Sequence, residues 1–261
     1  MTRTEVNMKQ RITPAAMGYI IINIVAFLAM FITDPALSAD TLIDFGAKAN
    51  FQIADGKLWY LITPIFLHGS LMHLLFNSMA IYFFAPYVEL FFGTKKFILI
   101  SLGTGIFSTL GSFLFSNAIS LGASGVIYGY LAFHVYLFLL NRELYLQTFG
   151  REVFILIGFN VVYSLVAGNI DLAGHLFGFV GGLAIYFLFG RKLPRMFPQR
   201  ALAIAFIILM LAGGAFRAYA YRHSEDYYVK KLYYFYLKQD VENYLLLEKE
   251  FLREFPAFKA P

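Results

Sequence analysis

The position in this chain best suited to chemistry is Ser124, set among small residues in the stretch 121–130 (L-G-A-S-G-V-I-Y-G-Y) where a long apolar run begins. Two other stretches carry polar groups into apolar surroundings: His73-Leu-Leu-Phe-Asn77 and Gly174-His175-Leu-Phe-Gly178. Serine is a weak nucleophile at neutral pH and needs an adjacent base, which a neutral imidazole such as His175 supplies. The same imidazole can then return the proton to a leaving amine. The tetrahedral intermediate carries an oxyanion, and the Asn77 amide, the His73 ring and the backbone N–H of Ser124 are donors of the right type to stabilise it. A serine beside glycines also suits plain helix packing in lipid, so the chemistry depends on whether the three stretches meet.

What must bring them together is a set of membrane helices. The chain has 261 residues, of which 59% are hydrophobic and only 14% charged, against roughly 25% charged in an ordinary soluble domain. Apolar runs approaching the roughly 20 residues that cross a bilayer recur along the chain. The alternating segments of a transmembrane barrel are absent from the sequence. A net charge of +5 does not call for nucleic acid, because many of the basic residues sit in short loops between apolar runs, as positive-inside bias requires. With no cysteine, disulfides and thiol catalysis are excluded.

The expected spans are 15–32, 71–92, 97–115, 123–140, 153–167, 172–189 and 201–220. Arg3, Lys9 and Arg11 precede the first span, Lys95 and Lys96 follow the second, Arg142 and Arg151 follow the fourth, and Arg191, Lys192, Arg195 and Arg200 follow the sixth. This charge pattern puts the N-terminus inside and a long loop, 33–70, outside. Its Trp59 and Tyr60 suit the membrane interface. The expected organisation is therefore a cytoplasmic segment 1–14, a six-helix core 15–190, a basic loop and seventh helix 191–220, and an extracytoplasmic helical tail 221–261. The polar N-terminal segment lacks transit-like character, which points to a bacterial cytoplasmic membrane.

Under this topology the second, fourth and sixth spans all start on the outer side, and His73, Ser124 and His175 each fall near the first turn. Polar groups inside a bilayer are costly and tend to face the bundle interior. His73 and Asn77 lie one turn apart on one face, as do Ser124 and Tyr128. Gly125 and Gly129 on the fourth span, and His175, Gly178 and Gly182 on the sixth, form stripes at which backbones can approach closely. The expectation is that these glycines touch and present Ser124 to His175, with Tyr128 packed against the imidazole.

Other polar residues fit quieter roles. Asp171, at a turn one helical turn before His175, suits capping or solvent. His68 belongs to the outer loop, His134 is nearly three turns deeper than Ser124 and reads as a packed core residue, and His223 lies in the tail. Glu89, near the inner end of the second span, reads as a structural anchor. No H-E-x-x-H motif is present, so neither metal nor cofactor is expected. The G-x-S-x-G elbow of soluble hydrolases fails at Val126.

These motifs together resemble the rhomboid intramembrane serine proteases. The resemblance rests on Phe66-Leu67-His68 followed by His73-Leu-Leu-Phe-Asn77, on Gly122-Ala-Ser-Gly125 with Tyr128, and on Gly174-His175 with Gly178 and Gly182. It covers roughly residues 59–182. It implies an all-α polytopic fold with a six-helix core and a seventh C-terminal helix, and a Ser124/His175 dyad. It further implies an oxyanion site of His73, Asn77 and the Ser124 amide, Tyr128 stacked on the base, a structural Glu89 and a partly membrane-embedded outer loop. The implied partners are the lipid bilayer and transmembrane protein substrates, cut near the outer interface. One departure is that Trp59 is followed by Tyr60 where the family often has Trp-Arg, which bears on how the loop is anchored. Two other functions compete: a non-catalytic relative that binds or escorts membrane proteins, and a small-solute transporter using the same polar cluster. No internal repeat is visible to favour the transporter.

Overall fold

The computed structural model describes residues 12–166, 170–193 and 198–258. Arg3, Lys9, Arg11 and Arg195, and Gly168 and Asn169 of the turn before the sixth span, fall outside them. The regular elements among the described residues are helices: α1 (Pro14–Thr33), α2 (Ala39–Asp44), α3 (Asn50–Ala54), α4 (Leu71–Phe92), α5 (Thr94–Phe115), α6 (Ser124–Leu140), α7 (Arg142–Phe149), α8 (Glu152–Val166), α9 (Leu172–Phe189), α10 (Gln199–Arg222), α11 (Glu225–Leu237) and α12 (Val241–Glu254). Two 3-10 turns, Leu58–Leu61 and Thr63–Phe66, lead into α4. Five helices, α1, α4, α5, α9 and α10, are long and apolar enough to cross a membrane, and α6 is a shorter apolar helix of 17 residues. The fold is thus an all-α polytopic membrane protein.

At the centre stands α6, buried along nearly its whole length and packed against α4, α5 and α9. The outer helices turn apolar side chains away from the bundle: Val25 and Ile32 on α1, Phe76 on α4, Phe159 on α8, Leu209 and Phe216 on α10. A bilayer provides the apolar medium such faces need, while backbone polar groups are satisfied within each helix.

Glu89 ties the two helix ends remote from the site. Its carboxylate accepts from Thr13 Oγ1 (2.5 Å), the N–H groups of Ala15 (3.2 Å) and Ala16 (3.0 Å), and Thr94 Oγ1 (2.8 Å). It supplies to α1 the cap that the Thr13 side chain does not, and a negative charge at a helix N-terminus also complements the dipole.

The stretch after α6, expected as a loop, contains the extra helix α7. Asn141 caps it by accepting from Leu144 N at 3.1 Å. Tyr145 holds it down, buried among Phe138, Phe149 and Phe154 with His134 beside it.

Beyond α10, the tail helices pack against the end of the bundle where α4, α6 and α9 begin, here the site end. From α11, Tyr227 Oη (2.6 Å) and Lys231 Nζ (2.7 Å) reach Asp55, and Tyr234 Oη reaches Asp44 (2.5 Å). Lys238 pairs with Asp44 and Asp40, and Lys230 donates to the Asn117 carbonyl at 2.8 Å. The loop between α1 and α4 is therefore clamped by the last part of the chain. The Tyr60 hydroxyl adds an internal tie to the Ile43 carbonyl (3.0 Å), in the position where the family's arginine is missing.

Candidate active site

The extended segment that delivers Ser124 is held from two sides. Lys48 and Ser120 exchange both backbone hydrogen bonds (2.8 and 3.1 Å), and Gly122 N donates to the Pro64 carbonyl (2.9 Å). Lys48 is fully buried, and its ammonium reaches the carbonyls of Ser116 (2.8 Å) and Ala118 (2.9 Å). Burial pushes its pKa down to about 7 against the opposing pull of Asp171. Gly122 then turns the chain with φ +128°, and a side chain there would also strike the His73 ring, 2.7 Å away.

Helix α6 starts at Ser124 itself. Its first ladder bond runs from Ile127 N to Ala123 O (3.0 Å), so the helix does not consume the N–H groups of Ser124, Gly125 and Val126. Such free donors at a helix N-terminus favour negative charge.

Across from it, α9 begins under the cap of Asp171, whose carboxylate accepts from Gly174 N (2.9 Å) and from Ser120 Oγ (2.5 Å). Asp171 therefore fixes the start of α9 to the segment before Ser124, and makes no hydrogen bond to the His175 ring. The two helices meet along their glycines. A Cβ on Gly178 would collide with the backbone carbonyl of Gly125, and one on Gly182 would come within 2.7 Å of Gly129 Cα. That closeness sets His175 Nε2 2.7 Å from Ser124 Oγ. His175 is buried while Ser124 is half-buried.

Tyr128 stacks on His175, with ring centroids 4.3 Å apart and planes at 17°. His73 and His68 meet edge to face at 4.9 Å. His68 is fully buried, and burial, with His73 adding to it, pushes its pKa down to about 3, so it is neutral. Asn77 is buried one turn below His73 and gives one amide hydrogen to the His73 carbonyl (2.9 Å), leaving a second N–H. His134 is a core residue among Phe84, Tyr87 and Phe149. Among the described residues no group of three or more metal-ligating side chains clusters.

One participant was missed in the sequence. Ser164, buried on α8, lies 2.9 Å from His175 Nδ1 and 2.6 Å from Tyr128 Oη. Tyr128 Oη also donates to the Asn160 carbonyl (2.7 Å). The available signal was the spacing of Asn160 and Ser164, one turn apart on a helix that is mostly apolar beyond Glu152, since intramembrane polar groups tend to face the interior.

Comparison with known proteins places the chain in a family. Residues 55–192 match the Rhomboid domain family. The rhomboid protease GluP of Bacillus subtilis is 36% identical over 195 residues, covering 75% of this chain and 38% of GluP. The putative rhomboid protease YdcA of the same organism is 36% identical over 179 residues, covering 68% of this chain and 90% of YdcA. The rhomboid protease GlpG of Yersinia pestis is 28% identical over 185 residues, covering 67% of this chain and 62% of GlpG. The chain thus spans well under half of GluP but most of YdcA. Since the matched domain takes in more than half of the chain, from the clamped loop through the helix that carries His175, this protein belongs to the rhomboid family.

Proposed function

We propose that this chain is a serine endopeptidase that cuts transmembrane segments of other membrane proteins near the outer interface, using Ser124 as nucleophile and His175 as base. The observation that carries the reading is the 2.7 Å contact between Ser124 Oγ and His175 Nε2 at the heads of two abutting helices. That is hydrogen-bond reach for a nucleophile and its base. His175 takes the serine proton as Oγ attacks the scissile carbonyl, then gives it to the departing amine. The developing oxyanion faces the free N–H of Ser124, with His73 and Asn77 as further donors. Water then enters from the half-exposed side of Ser124, and His175 acts as base again to hydrolyse the acyl-enzyme.

A regular helix hides its peptide bonds, so substrates with helix-breaking Gly or Pro near the interface unwind into the site most readily. The protein is multi-pass, and we place it in a bacterial cytoplasmic membrane with the N-terminus inside. The basic residues after α4, α6 and α9 support this orientation.

The test combines a fluorophosphonate serine probe with cleavage of a single-pass substrate bearing a Gly-Pro-containing segment, both on detergent-solubilised protein. Wild type should label and cleave, while Ser124→Ala and His175→Ala should do neither and stay folded. Cleavage persisting in both variants refutes the dyad. A folded wild type that neither labels nor cleaves points instead to a binder or escort.

A further inference from the structure

A nucleophile–base pair works only if the base presents a bare lone pair, and the carboxylate that usually arranges this does not reach His175 here. The far side of the ring faces hydroxyls instead. Three contacts run in series: His175 Nδ1 to Ser164 Oγ (2.9 Å), Ser164 Oγ to Tyr128 Oη (2.6 Å), and Tyr128 Oη to the Asn160 carbonyl (2.7 Å). Each contact needs one proton between its atoms. The carbonyl brings none, so the Tyr128 proton occupies the last contact and the Ser164 proton the middle one. The only proton left for the first belongs to Nδ1. His175 is then the Nδ1–H tautomer, and Nε2 holds its lone pair toward Ser124.

We infer that Ser164 is a positioning residue, which with Tyr128 and the Asn160 carbonyl locks His175 in the base-competent tautomer without a buried carboxylate. This rests on the dyad reading above. The physical gain is that no ionised acid is taken out of water. When His175 becomes imidazolium during attack, the same chain receives its Nδ1–H, and a hydrogen bond from a charged donor is stronger than one from a neutral ring. Tyr128 has two separable jobs, stacking and passing on the hydroxyl polarity. Without its hydroxyl, Ser164 is free to turn its proton toward Nδ1, which favours the wrong tautomer.

The test uses the full chain labelled with 15N-histidine, with His175→Gln as the assignment control, and the substrate cleavage assay in parallel. In wild type above the imidazole titration, Nδ1 of His175 should carry the proton. Ser164→Ala and Tyr128→Phe should each give a mixture of tautomers and lower kcat roughly ten- to hundredfold with KM little changed. Their combination should cost no more than the worse single change, as expected of members of one chain. Ser164→Thr, which keeps the hydroxyl, should restore both readouts. A wild-type His175 protonated on Nε2 overturns the inference, even if Ser164→Ala does not fold. So does a Ser164→Ala protein with wild-type tautomer and kcat, while the dyad stands. If wild type neither labels nor cleaves, the dyad reading falls, and the tautomer spectrum still decides the chain.

Discussion

Replacing Gly178 by alanine puts one methyl group where α6 and α9 touch. The new Cβ would overlap the Gly125 carbonyl oxygen and lie 2.8 Å from its carbon and 3.0 Å from Gly125 Cα, against the 3.4 Å at which ordinary contact begins. All three neighbours are backbone, so no side chain can swing aside. The helices must part by at least about 0.6 Å to clear the carbon and by more to clear the oxygen. Ser124 immediately precedes Gly125, and His175 lies one turn before Gly178; the two are 2.7 Å apart. Moving them together with the backbones takes the pair past the roughly 3.2 Å limit of a working hydrogen bond. A misplacement of about 1 Å at a reacting pair costs on the order of 100-fold, and the overpacking itself about 1–3 kcal/mol of stability. The assay is the substrate cleavage rate beside the rate of fluorophosphonate labelling, with Gly158→Ala as control, since a Cβ there meets nothing within 4 Å. Gly178→Ala should lose both rates ten- to hundredfold, with Gly158→Ala unchanged. A folded Gly178→Ala protein with wild-type rates would show that the glycine contact does not set the dyad distance.

Three further outcomes follow from described contacts. Glu89→Ala leaves four donors without their acceptor, and should lower stability by about 2–4 kcal/mol, read as a drop in Tm in detergent; an unchanged Tm would mean that water replaces the carboxylate. Lys48 has a folded pKa depressed to about 7 from 10.5, so above pH 7 the unfolded chain binds the extra proton and stability rises with pH until the unfolded pKa is passed. Lys48→Met should flatten that rise in Tm above about pH 7, and an equal slope in both proteins would contradict it. Asp55→Ala removes the partner of Tyr227 and Lys231 and should expose α11 to limited proteolysis at a shift of about 1–3 kcal/mol in local opening; unaltered protection would place the tail's anchorage elsewhere.

The helices and the meeting of Ser124 with His175 were readable because apolar period, length and residue spacing act locally along the chain. Ser70 caps α4 by accepting from His73 N at 3.2 Å, as its type and place suggest. The glycine stripes were readable for the same reason: a four-residue spacing fixes a face before any partner is known. Ser164 was not, because its value depends on the rotation of α8 about its own axis, which only packing decides. Lys48 was equally opaque. A lysine in a loop is expected to be solvated, and nothing nearby in sequence announces the carbonyls of Ser116 and Ala118 that receive it. Helix α7 was hidden by its polarity, since Tyr145 alone carries most of its burial. The clamp on the loop joins residues too distant in sequence for any pattern to link.

That last distance bears on how the protein is made. Asp55 waits for Tyr227, 172 positions downstream, and for Lys231, 176 positions downstream. A nascent chain that has inserted through α9 already holds Ser124 and His175, yet its loop carboxylates at Asp44 and Asp55 still lack the partners that α11 brings. The site end is therefore fastened only once α11 has been made, and a ribosome stalled before α11 would display the helices that carry Ser124 and His175 under a loop not yet tied down.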